Sequence, residues 1–581
     1  MKTSKSFSTL VNRYFRPEID RCLDCGSPLE RSHIAWRKTI ISLDGTYRVF
    51  NLAHRCRDRA TCSHPERVYR SGYADGLSLA YYSYGLDVIV HIGQQRLREK
   101  RTIPEIHQAL SGREKPVRIS EREVQYLFDV YLTLSACSHG ERIEKYRPEI
   151  EANGGVVLAI DGAKPEKGQP GLYIFRDTLS GCRLHSTLLP SADTDSLARE
   201  LQVVNGLGLK VQAVISDDEH ATVAAVARIY PDVPHGLCHI HFLKVAQKPI
   251  YAQDQQLAKE LKKPLRSLTQ VERRLHNHPE SESDLSDNQE KAIRRYVDAV
   301  RGILMRKGQA PFQLAGTAIY DALAQLTDSF TRSQSQQDHW VLEQLQGMSE
   351  SYQAHQPTYE RIERQQAWFL GLADLLNVPE TETHHWSTQS GSEVAQAVAD
   401  YLENLQDLGD EMSEDQPYFR YLRSRFDHWA PGLFWTYELP ALPRTNNALE
   451  AEIGDIKEQY RRITGRRSLK DYFMRYGPYL TFDDDQDDPE ELLAWFQNVD
   501  RQTFLNERAK LDSLRDICVT CSAFARTLTT SSLKPNSSGA TPASLYVPFA
   551  VTENFYRIEY SVWARLRRNR CVFTWIRSVV D

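Results

Sequence analysis

The chain has 581 residues, 41% of them hydrophobic and 26% charged, with a net charge of -5. That is enough apolar material for several cores and too little positive charge for a uniformly basic nucleic-acid coat. The charge is uneven, because residues 1–122 hold 22 Lys/Arg against 13 Asp/Glu, so phosphate contacts are expected from the N-terminal part. The chain shows no apolar run of the roughly 18 residues that a membrane-spanning helix needs, and "MKTSKSFSTLVNRYFRPEID" lacks the apolar stretch of a secretory signal. A soluble intracellular protein is expected, with no membrane partner: cytoplasmic and nucleoid-associated in a bacterium, nuclear in a eukaryote.

Residues 1–75 carry four of the ten cysteines. Cys22 and Cys25 in "CLDCG" form a knuckle that can grip one tetrahedral zinc ion, and Cys56 and Cys62 in "HRCRDRATC" can close the site. The second spacing is irregular, so His54 or His64 is an alternative to one cysteine. Between the pairs, "TIISLDGTYRVFNLAHRC" alternates around an Asp-Gly turn as a hairpin does. The expectation is a zinc-ribbon-like DNA-binding module with structural Zn²⁺, all four ligand positions being filled. Ten cysteines in so long a chain are too few for a secreted disulfide framework.

Residues 76–150 turn helical. Thr102 and Ser120 are N-cap residues with Glu105 and Glu123 three positions on, which makes two capping boxes. Two capped helices separated by a loop resemble a helix-turn-helix, whose second helix, from Ser120, enters a major groove. Arg118, Arg122 and Gln125 are then the expected DNA contacts.

From Gly155 the texture changes. Within 151–245 the pattern predicts strands over 156–160, 171–176 and 182–189, a helix over 194–205, a strand over 211–216, a helix over 219–230 and a short strand before Cys238. The two most apolar strands each run into a carboxylate, "VVLAID" at Asp161 and "VQAVISD" at Asp217, with Asp218 next to the latter. Residues 246–440 are rich in Gln, Leu, Arg and Glu with little strand character, and a large all-helical insertion is expected. Its Trp368 and Trp386 are core aromatics, with stacking on an unpaired base as the alternative. In 441–480, Leu449, Ile453, Ile456 and Tyr460 recur at spacings of four, three and four, which puts them on one buried helix face with Glu450 at its edge. Arg461, Arg462, Arg466 and Arg467 follow, either as a solvated helix end or as phosphate contacts. In 481–581, "DDDQDDPEE" reads as a solvated linker and "TLTTSSLKPNSSGATPAS" as a flexible tail; Cys518 and Cys521 lack an obvious second pair.

The "DG" at Asp161, "ISDDEHATVAAVARIYPDVPHGLCHIH" and the late "TNNALE" together resemble DDE transposases with an RNase H-like catalytic core, closest in pattern to Mutator-like and related bacterial insertion-sequence transposases. The resemblance spans about residues 20–470. It implies a multidomain α+β protein in which an RNase H-like α/β core is interrupted by the helical insertion. Asp161, Asp217 and Glu450 would be the catalytic, metal-binding triad, holding two Mg²⁺ ions (or Mn²⁺). Three carboxylates suit these hard cations, which prefer oxygen ligands. The implied partners are double-stranded DNA, both element terminal inverted repeats and target, and a second copy or more of the chain on that DNA. Cys238 and His241 resemble a Cys-x-x-His that recurs in these families. Two other outcomes share the core: a transposase-derived regulator that binds DNA without catalysis, and a nuclease that cuts but does not join.

Overall fold

The computed structural model describes residues 10–163, 169–277, 287–333, 340–378, 389–411, 414–466, 468–482 and 487–514. Among these, no helix is long and apolar enough to cross a membrane. The chain divides into two compact units, residues 1–212 with 447–581, and residues 213–446. The boundary falls inside the stretch 151–245 expected to begin a single catalytic core.

In the first unit, β1 (Val11–Phe15), β2 (Leu29–Ser42) and β3 (Gly45–Cys56) form a sheet in the order β1-β3-β2. The hairpin is where the alternation placed it, but the chain reverses at Leu43 and Asp44, one residue before the Asp-Gly pair is complete. Ser42 pairs with Gly45, which supplies a φ of 134° that a side chain would resist. Next come α1 (Gly72–Gly76), α2 (Leu86–Leu97), α3 (Ile103–Ser111), α4 (Glu121–Cys137) and α5 (His139–Ala152). Both expected capping boxes form. The Thr102 and Ser120 hydroxyls accept from the Glu105 and Glu123 backbone N–H groups, and each Glu accepts in return.

The second of these capped helices, α4, is exposed only in its first turns. From Leu127 to Ser135 every side chain of α4 is buried, Phe128 and Tyr131 completely, and the helix packs on α2 and α3. Only Glu121, Arg122 and Tyr126 stand out to solvent. The run "LFDVYLTLS" is mostly apolar around the helix, which marks the second half of α4 as part of the core.

Then follow β4 (Val156–Ala163), β5 (Gly171–Asp177), β6 (Arg183–Leu189) and α6 (Thr194–Asn205), with β4/β5 and β5/β6 antiparallel. Every predicted element between 156 and 205 is present. The difference is that β4 runs two residues past Asp161, so that Asp161 is paired within the ladder, opposite Ile174.

The strand order within the first unit is β6-β5-β4, and the division between units falls within β7 (Val211–Ser216). In the second unit β7 continues to α7 (His220–Ile229) and β8 (His235–Leu237), which lies parallel to it. The expected insertion is helical throughout its described part: α8 (His239–Leu265), α9 (Leu268–Asn277), α10 (Asp287–Met305), α11 (Ala315–Ser333), α12 (Trp340–Ser349), α13 (Gln356–Leu375), α14 (Gly391–Glu411), α15 (Gln416–Leu433) and α16 (Trp435–Glu438). One continuous apolar core joins α8 to α15. Trp368 packs against it with its ring 4.7 Å from that of Phe419, a core position; Trp386 lies outside the described residues. The fully buried Asp254 on α8 accepts from the backbone N–H groups of Ala315 (2.8 Å) and Thr317 (3.0 Å), where it satisfies the start of α11.

The chain re-enters the first unit as α17 (Asn447–Thr464), α18 (Lys470–Tyr476) and α19 (Pro489–Asn498). Helix α17 buries Leu449, Ile453, Ile456 and Tyr460, the four positions the periodicity selected, together with Gln459. At about 1.5–3 kcal/mol for each fully buried large apolar side chain, that face alone holds the helix in place.

The acidic run is not solvated throughout. Asp487 is completely buried and ion-pairs with the equally buried Arg142 of α5, whose Nε donates to Asp487 Oδ2 at 3.0 Å. The Asp487 carbonyl also accepts from Arg98 at 2.9 Å. This corrects the linker expectation at the point where the run meets α19; residues 483–486 and 515–581, with Cys518 and Cys521, lie outside the described residues.

Candidate functional site

Two arrangements in the first unit bring functional side chains together. In the first, the ligand atoms of Cys22, Cys25, Cys56 and Cys62 all lie within 4.8 Å of one another. Cys22 and Cys25 sit on the turn before β2, Cys56 closes β3 and Cys62 follows in the next loop, so the hairpin's length delivers the two pairs to one point. Neither His54 nor His64 joins them; the His64 Nδ1 lies 3.3 Å from an Asp24 oxygen instead.

The sulfur pairs Cys22–Cys62 and Cys25–Cys56 are 3.7 and 3.3 Å apart, far from the ~2.05 Å of a disulfide, and suited to four thiolates around one ion. The Tyr69 hydroxyl at 3.3 Å favours the Cys22 thiolate and holds its pKa at about 6, whereas burial pushes Cys56 up to about 12. Four sulfurs this close cannot all ionise without a cation among them, and a divalent ion supplies that charge. Donor type, number and closeness therefore fit a structural zinc site. Among the described residues these four are the only group of three or more potential ligands so closely drawn.

The second arrangement is carboxylate on sheet and helix. Helix α17 packs on β4, placing Glu450 and Asp161 on two elements in contact. Both side chains are half-buried. The Gly162 N–H donates to Asp161 Oδ1 at 2.7 Å, and glycine is required there because a Cβ would come within 2.7 Å of the Tyr173 ring. Sequence periodicity missed Glu452, two residues beyond Glu450. Its nearly buried carboxylate lies 3.3 Å from Arg176 of β5 and 2.5 Å from Arg183 of β6, pinning α17 to the sheet by charge. Nothing in its spacing marks it; only the sheet register brings the two arginines to it.

Asp217 belongs to the second unit, immediately after β7. Its Oδ1 accepts from the Glu219 backbone N–H at 3.3 Å, and its carbonyl accepts from the Ser216 hydroxyl. Ser216 also meets the half-buried His235 at 2.8 Å, whose pKa desolvation lowers to about 4, keeping the imidazole neutral. Its neighbour Asp218 lies 2.8 Å from the His428 Nε2. Asp218 is thus engaged by a side chain from α15, while Asp217 directly follows the strand.

Cys238 is built into packing, and His241 is half-buried in the first turn of α8. Cys238 is buried at the start of α8, where its N–H donates to the Ser216 carbonyl and its sulfur accepts from the Asn446 N–H at 3.4 Å. The pair joins no group of three potential ligands among the described residues. Of the expected DNA contacts, Arg118 and Arg122 are exposed, whereas the Gln125 amide donates to Asp129 (3.0 Å) and Tyr476 (3.1 Å) inside the unit. Arg462 pairs with Glu105 at 2.8 Å and Arg466 with Asp471 at 3.3 Å; Arg461 is exposed, and Arg467 lies outside the described residues.

No family model matches the chain, and a search of curated proteins likewise finds no match.

Proposed function

We propose that this protein is a DDE-type DNA transposase that binds the terminal repeats of a mobile element and cuts and joins DNA strands, with Asp161, Asp217 and Glu450 as the metal-binding acids. The observation that supports this most is the packing of α17 on β4, which brings the elements that carry Asp161 and Glu450 into contact within one unit. The oxygen donors of these acids are of the kind Mg²⁺ takes. Two such ions would neutralise charge building at phosphorus and lower the pKa of an attacking hydroxyl. Asp161, Asp217 and Glu450 would present their carboxylates to those ions, with Asp217 preferred to Asp218 because it directly follows the strand. No side-chain nucleophile is required: water attacks phosphorus to leave a 3′-OH at the element end, and that 3′-OH then attacks a target phosphodiester, displacing a target 3′-OH. The four-cysteine cluster would act as a structural zinc site bracing the N-terminal sheet.

The test is a strand-transfer assay with purified protein, DNA carrying the flanking element end, supercoiled target and Mg²⁺. Joined product from the wild type, lost in Asp161→Ala, Asp217→Ala and Glu450→Ala, is the expected result. Cleavage without joining would replace the transposase by a nuclease. End binding with neither activity would leave a DNA-binding regulator.

A further inference from the structure

The basic surplus of the N-terminal part extends well beyond the few exposed residues at the start of α4, and the three-stranded sheet offers a further surface for it. One of its faces is anchored: Trp36 donates to Asp75 at 2.6 Å, Asn51 donates to the Ser71 carbonyl at 2.9 Å, and Lys38 donates to the carbonyls of Ser78 and Leu79. Alternation sends the intervening residues to the other face. There the register aligns Tyr14 of β1, Phe50 of β3 and Arg37 of β2 in one row, and Asn12, Arg48 and Thr39 in the next. Tyr14 is 60% exposed and stacks on Phe50 with ring centroids 4.7 Å apart, while Arg37 and Arg48 stand out to solvent.

Neither arginine has an ion-pair partner among the described residues, in contrast to Arg55, Arg57, Arg59, Arg67 and Arg70, which face acids elsewhere in the module. None of the six residues in the two rows is an acid. Two uncompensated guanidinium groups on adjacent strands, with polar Asn12 and Thr39 flanking Arg48 and a flat aromatic pair beside them, match a polyphosphate surface in sign and in donor type.

We propose that this open sheet face, through Arg37, Arg48 and the Tyr14–Phe50 pair, is a docking surface for the phosphate backbone of duplex DNA. It deepens the transposase proposal by assigning DNA contact to residues that the helix-turn-helix expectation did not include, and it leaves catalysis to other residues. Such contacts carry little base information, so the surface would hold DNA in place without reading its sequence.

The test is fluorescence anisotropy with full-length protein and a labelled random-sequence duplex, without Mg²⁺, across a salt series. Arg37→Glu/Arg48→Glu is compared with Lys259→Glu/Arg420→Glu, which changes the net charge equally at exposed positions on α8 and α15. The sheet variant should bind roughly tenfold or more weakly than this control, and its log K against log salt slope should fall by about 2 in magnitude, about 0.9 for each phosphate no longer neutralised. Circular dichroism and zinc content matching the wild type exclude misfolding as the cause. Equal weakening in both variants, or none in either, would overturn the proposal, and tighter binding of the single strand than of the duplex, lost in Tyr14→Ala, would overturn the duplex assignment. The two proposals fail separately. Asp161→Ala should bind DNA as the wild type does whether or not strands are joined, and a wild type that binds through this face without joining would sink the transposase alone.

Discussion

Replacing Asp487 by Asn keeps its volume and removes its charge, leaving the Arg142 guanidinium buried without a counter-ion. Arg142 is 1% exposed, its Nε donates to the Asp487 carboxylate at 3.0 Å and its guanidinium lies 5.5 Å from the Trp495 ring, so water cannot take the carboxylate's place. Breaking one side of a buried pair costs about 3–5 kcal/mol. At roughly 2–4 °C per kcal/mol for a unit of this size, the melting temperature of the first unit should fall by roughly 6–20 °C. Near-ultraviolet circular dichroism reports it, because Trp495 sits beside the pair. The double substitution Arg142→Met/Asp487→Leu removes both charges and should recover most of the loss. An Asp487→Asn protein melting within about 1 °C of the wild type, against that scale, would refute the assignment of Asp487 as a buried structural charge.

Three further outcomes are expected. Purified protein should carry one zinc ion per chain by atomic absorption, and Cys56→Ser should abolish the ion and unfold the hairpin, whereas His54→Ala should retain it. Asp217→Asn should abolish Mg²⁺-dependent cleavage while Asp218→Asn, which gives up only its pairing with His428, retains most of it; the reverse pattern would exchange their roles. The Thr102 backbone N–H, Arg462 and the Thr102 hydroxyl hold Glu105 at a pKa of about 2, below its ordinary 4.5. A depressed carboxylate stabilises the fold fully above its unfolded pKa and loses that contribution as pH falls through its folded one. Glu105→Gln should therefore melt below the wild type at pH 7, with the gap closing between pH 4.5 and about 2; a gap constant with pH would contradict the assignment.

Local pattern decided a large part of this protein. The periods of 2 and 3.6 located every element from 156 to 237, both capping boxes and the buried face of α17, because each depends on which way successive side chains point along one segment. Cysteine spacing marked the four-cysteine cluster, since two short-range pairs need only a hairpin of suitable length to meet. Other features depend on segments far apart in the chain. Only the packed structure shows Asp487 meeting Arg142, Glu452 meeting Arg176 and Arg183, Asp218 taken by His428, and α4 buried from Leu127 to Ser135. A carboxylate's spacing is the same whether it faces water, a guanidinium or a metal, and desolvation with its partner, set by tertiary contact, decides which of these it becomes.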